Sequence, residues 1–261
     1  MPLKYGLGRH PHTLAQIANL RAHHSYPGSV SVTETVIQPI GRLRNQRSTP
    51  SCVGQAVAAA AEALTGFDGS AINLWTDARR RQGDLADPSN GTTAETAIES
   101  LIQRGLDPYE PFEEDRTDAQ LSEMPSLASE LEADDNRLRP DVTRYIITGS
   151  IAAQRLAIVA ALQAGHGVLW ATGVKDPFFA LGPGDVATTA HVGANYNGHE
   201  MRFFAYDKLL DHFLVQNSWG EEWGGAAMDG VDYPGCFRIE AKAAIASAWD
   251  TLVVDLRSRV A

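Results

Sequence analysis

The chain has 261 residues, of which 44% are apolar and 21% charged. That suits one large domain, or two modest ones sharing a cleft, in a soluble globular protein. Lys and Arg total 22 against 32 Asp and Glu, a formal net charge of −10, which argues against a broad nucleic-acid surface because phosphates need clustered positive charge.

No apolar run is long enough to span a bilayer. The opening sequence has no positive start, apolar middle and small-residue cleavage site of a secretory signal. A cytoplasmic location without membrane contact is therefore expected, with export or virion association left open. The two cysteines, Cys52 and Cys236, fit a reducing compartment better than a disulfide framework. Neither has a His or second Cys at ligand spacing, and His191 and His199 are separated by a flexible loop. No metal site and no cofactor is expected.

In chain order, residues 1–27 read as an N-terminal extension with a weak helical pattern at Thr13–Ala22. Val30–Ile40 reads as extended. Ser51 stands as N-cap to an Ala-rich helix that Gly66 stops. The basic triplet Arg79–Arg81 reads as a solvated helix end. Ala94, Ala97, Ile98, Leu101 and Ile102 recur at helical spacing, with Thr92 and Glu95 as a capping box and Gly105 as terminator. A weaker helix is expected near Leu121–Leu131. Beyond Pro140, Val142–Ile147 reads as a strand and Ser150 caps a helix through Ile151–Ala164. Strand patterns follow at Gly167–Thr172, Met201–Tyr206, Phe213–Gln216 and Gly235–Ile239. Helices first and strands later predict an α+β fold, divided as 1–27, a mainly helical lobe 28–140 and a mainly β lobe 141–261.

Cys52 opens a helix, where unpaired N–H groups and the positive dipole end favour the thiolate. A buried core thiol is the simpler alternative. A cysteine nucleophile also needs an imidazole and a group to orient it. His199 ends the Gly/Asn-rich loop Asn195–Gly198 and opens an apolar strand, a position typical of groups on the rim of a sheet. Downstream lies Asn217-Ser218-Trp219-Gly220-Glu221-Glu222-Trp223-Gly224.

That segment resembles the N-S-W-G-x-x-W-G of papain-like cysteine peptidases. Gln46 lies six positions before Cys52, as in the family's Q-G-x-C-G-S-C-W. Gly198-His199 is similar to the G-H that opens its G-H-A-V motif, and Gly235-Cys236-Phe237-Arg238-Ile239 to its G-Y-F-R-I strand. The resemblance spans about Val30 to Ile239. It implies a two-lobe fold, helical lobe against antiparallel sheet or barrel, with the active-site cleft between them. It further implies a thiol peptidase in which Cys52 is nucleophile, His199 base and acid, Asn217 the orienting group and Gln46 an oxyanion donor, with Trp219 covering the His–Asn contact. A peptide or protein substrate would lie extended in the cleft, against Asn90 and Gly91. Glu200 would either tune a specificity pocket or face solvent. A protein inhibitor is a candidate partner.

Departures from the family are Val53 for its Trp, Arg47, Thr49 and Pro50 for Gly, Cys and Gly, no disulfides, and no long propeptide, as in a bacterial or phage form. A peptidoglycan amidase, an acyl transferase or a non-catalytic binding module are the alternatives.

Overall fold

The structure, a computed structural model, describes residues 25–28, 35–111, 113–122 and 136–257. The expected helix at Thr13–Ala22 lies outside the described residues, as does all but the first two residues of the one at Leu121–Leu131.

Helix α1, Cys52–Thr65, forms where Ala dominates, and it stops at Gly66, whose left-handed φ of 74° lets its N–H reach Glu62 O. Ser51 occupies the cap position, but its hydroxyl makes no cap bond and pairs instead with Thr49 Oγ1 at 2.8 Å. Helix α2, Ala71–Gln82, crosses α1 so closely that a Cβ on Gly54 would collide with Ala71 O. Helix α3, Ala94–Gln103, is capped by Thr93, which accepts from Thr96 N at 3.1 Å. The cap is thus one residue later than the Thr92 box predicts, since the Thr92 hydroxyl donates to Gln82. Short helix α4 spans Asp118–Leu121. Helix α5, Ile151–Gln163, starts at Ser150, which accepts from Ala153 N as expected.

The basic triplet does end a helix, but Arg79 is not solvated. Its guanidinium lies 3.9 Å from the Trp75 ring centroid and donates to the carbonyls of Leu85, Asp87 and Leu121. Desolvation of a cation is offset there by an aromatic face and three acceptors. Arg80 and Arg81 clasp Asp77.

The main sheet takes strands β1 (Val36–Ile37), β2 (Asp141–Ile146), β3 (Gly167–Val174), β4 (Val186–Ala187), β5 (Asn197–Asp207), β6 (His212–Gln216), β9 (Cys236–Glu240) and β10 (Ala248–Arg257). Their order is β2-β10-β3-β5-β6-β9-β4, with β1 alongside β5. The β4–β9 pairing is parallel and the others antiparallel. Strands β7 (Ala226–Met228) and β8 (Val231–Tyr233) form a separate ribbon. Helix α6, Ala241–Ser247, links β9 to β10. This is the α+β class: helices early, then a mostly antiparallel sheet.

Period-two alternation divides the core. Leu169, Leu252, Val254 and Leu256 turn to the face covered by α1 and α3. Val168, Trp170 and Val253 turn the other way, to α5 and the aromatic cluster around Phe178 and Trp219. Burial of each such side chain stabilises the fold by about 1.5–3 kcal/mol. A strap, residues 35–47, ties the two faces together. Gln38 donates to Leu162 O and His166 O, and Arg202 donates to Gln38 Oε1 and Pro39 O. Arg44 then joins Glu62 of α1 at 2.8 Å.

Candidate active site

The strap's last residues meet the turn that follows β6. Asn45 bridges Trp219, Gln46 N donates to Ser218 O at 2.8 Å, and Gly220 N donates to Arg44 O at 3.0 Å. Gly220 is required here: its φ is 80°, and a Cβ would stand 2.8 Å from Asn45 Nδ2. Ser218 Oγ donates to Gln46 Oε1 at 2.5 Å, while Gln46 Nε2 donates to Thr49 O at 2.8 Å. The Gln46 amide is thereby fixed in orientation six residues before Cys52.

His199 lies on β5, in register with Thr172 of β3. Asn217 is the first residue beyond β6, and its Oδ1 lies 2.7 Å from His199 Nε2. The same oxygen accepts from Ser218 N at 2.8 Å. A backbone N–H can only donate, so that atom is the amide oxygen, and Nε2 must be the nitrogen that carries the proton. The neutral ring then presents its lone pair at Nδ1, which has no hydrogen-bond partner among the described residues. Trp219 stacks on the imidazole at 4.8 Å and is itself backed by Phe178, Phe179 and Trp223. Burial pushes the His199 ring down to about 4, against the opposing pull of the Asn217 hydrogen bond.

Cys52 opens α1. Positions three and four residues further on share its helix face, and these, Gln55 and Ala56, line a small cavity with Glu200, Asn217 and Ser218. Gln55, Ala56 and Ala59 of α1 thus lie against Glu200 and Met201 of β5 and the Asn217–Ser218 turn. Gln46, Cys52 and His199 are all fully buried. Cys236, on β9, is equally buried, and desolvation drives its thiol up to about 12, with Arg202 opposing. It belongs to a separate apolar cluster with Phe204 and Leu214.

The remaining expected residues are placed as follows. Asn90 is half-buried and its carbonyl accepts from Trp75 Nε1; Gly91 is buried and its carbonyl accepts from Gln82 Nε2. Glu200 does not face solvent. It is 1% exposed and lies in the wall of the cavity behind Asn217. Sequence reasoning passed over Gln55, although it is the one polar side chain among Cys52–Ala61, which is a usable signal. Among the described residues no group of three or more His, Cys, Asp and Glu could hold a metal ion, and no helix is long and apolar enough to cross a membrane.

No protein-family model matches the chain, and no curated protein sequence matches it. Solved structures do. Xylellain, a cysteine protease from Xylella fastidiosa, superposes with a TM-score of 0.73 at 18% identity over 99% of this chain and 98% of that one. A Carica candamarcensis cysteine protease in complex with E-64 gives 0.56 at 21% identity, covering 84% and 93%. The bromelain protease of Ananas comosus, in complex with the same inhibitor, gives 0.58 at 16%, covering 87% and 100%. The chain has the papain-like fold.

Proposed function

We propose that this protein is a cysteine peptidase that cleaves peptide bonds through a thioester acyl-enzyme. The observation that supports this best is the His199–Asn217 pair: a ring held at Nε2, bare at Nδ1 and roofed by Trp219, in a papain-like fold in which helix α1 begins with a cysteine.

Cys52 gives its proton to His199 Nδ1, and the thiolate, favoured by the α1 dipole, attacks the substrate carbonyl carbon. The Gln46 side-chain amide and the Cys52 backbone N–H receive the oxyanion. Nδ1–H then protonates the leaving amine as the C–N bond breaks. Water, deprotonated by the same nitrogen, attacks the thioester and releases the acid and the thiol. Asn217, being neutral, holds the ring without adding negative charge. Substrate lies extended between the helical part and the sheet. With sulfur and imidazole both buried, it enters only after the site opens. Two plant proteases of this fold are in complex with E-64, which makes that inhibitor the probe of choice for Cys52.

Turnover of a dipeptidyl fluorogenic panel tests the assignment. The wild-type chain is expected to cleave at least one member and Cys52→Ala none; equal rates in both would refute it.

A further inference from the structure

Behind Asn217 lies a cavity of about 10 Å³, the size that one water molecule fills. Several polar side chains stand among the residues that line it. Asn217 uses its oxygen on His199 and Ser218, which leaves Nδ2, a donor, with no hydrogen-bond partner among the described residues. Opposite, on α1, Gln55 directs Nε2 to Ser51 Oγ at 3.5 Å, and its acceptor Oε1 likewise has none. Arg44 Nε is a third such atom, and the Glu200 carboxylate completes the wall. Asn217 and Gln55 are 4% and 1% exposed. Two other polar side chains of the wall are fully engaged. Gln216 bonds to Arg202, Ile40 O and Arg42 O, and Ser218 bonds to Gln46. Buried polar atoms are nearly always partnered, and unpartnered donors and an unpartnered acceptor on residues lining one water-sized cavity point to what bridges them.

We infer that one ordered water occupies this cavity and that Gln55 is a positioning residue, holding Asn217 Nδ2 through that water. The water accepts from Asn217 Nδ2 and Arg44 Nε and donates to Gln55 Oε1 and the Glu200 carboxylate. With both ends of its amide engaged, Asn217 can neither flip nor swing, and its oxygen stays on His199 Nε2. The functional half of the inference rests on the proposed role of Asn217; the water does not.

Two measurements test it. A high-resolution crystal structure of the full wild-type chain is expected to show a water within about 3.2 Å of both Gln55 Oε1 and Asn217 Nδ2, and a dry cavity would overturn the inference whatever the activity. Gln55→Met keeps the length of the side chain and removes the acceptor. It should unfold as cooperatively as wild type yet lose roughly tenfold in kcat, the worth of one hydrogen bond, with KM within about twofold. In an Asn217→Ala background the same change should cost nothing further. An unchanged kcat, or losses that multiply in the double variant, would refute the positioning role. An Asn217→Ala variant as active as wild type would refute the proposed role of Asn217 instead and leave the crystallographic arm standing.

Discussion

His199 Nε2 donates to Asn217 Oδ1 across 2.7 Å, between a strand residue and the first residue past the neighbouring strand, 18 positions apart in the chain. The bond sets the tautomer, and so the atom that can take a proton. Asn217→Ala removes it, frees the ring to rotate, and is expected to lower kcat on the order of 10²-fold, the cost of a misplacement of about 1 Å. KM should change little. The buried ring N–H left without an acceptor should also cost about 1–3 kcal/mol of stability, measured by urea unfolding.

The depressed His199 ring makes a pH prediction. Above its ordinary value of 6.5 the ring is neutral in folded and unfolded chains alike; as pH falls to about 4, the unfolded chain takes up a proton that the folded one refuses. Stability is therefore full above pH 6.5 and lost through that window, by about 3 kcal/mol. His199→Gln cannot titrate, so the difference in unfolding free energy between wild type and variant should shift by that amount between pH 7 and 4. A constant difference would show that the ring is not held neutral.

Gln46 is tested through the oxyanion. Gln46→Ala should reduce kcat by roughly 10²–10³ with KM nearly unchanged, as loss of one donor does elsewhere. Ser218→Ala only unlocks the amide by removing its 2.5 Å partner, so its loss in kcat should be smaller. A larger effect from Ser218→Ala than from Gln46→Ala would reverse the assignment.

Trp219 stacks on His199 and anchors an aromatic cluster. Trp219→Ala empties the centre of the Phe178–Phe179–Trp223 cluster and should cost about 3–5 kcal/mol. It also lets water reach the imidazole. The His199 pKa, followed by NMR, should climb from about 4 towards 6.5. Trp219→Phe keeps a stacked ring and should move the pKa less.

The fold class was more legible in the sequence than the packing. The helix start at Cys52 and the strand start at His199 could be read locally, whereas Asn217 and Gln46 were named only because their surrounding motifs resemble those of a known family, and the roles of all four are proposals. Arg79 was misread because charge runs are usually solvated; Trp75, one helical turn earlier, was the missed sign that a cation could lie buried on its face. Strand β10, between the edge strand β2 and β3, lay beyond the last recognised motif at Ile239. The Gln55–Asn217 cavity was invisible, since it exists only through the register of α1 against β5, which no local pattern encodes. The Ser51 and Thr92 hydroxyls make no cap bond because each has a competing partner, Thr49 two residues before Ser51 and Gln82 ten residues before Thr92.

Everything turns on whether Cys52 is a nucleophile paired with His199. Folded wild-type protein should be incubated with an E-64-type epoxide and its adducts mapped by mass spectrometry. A single adduct on Cys52 is predicted, forming far more slowly in His199→Gln, while Cys236, its thiol pushed up to about 12, stays unmodified until the chain unfolds. Equal labelling of the two cysteines, or a Cys52 rate indifferent to His199, would contradict the account.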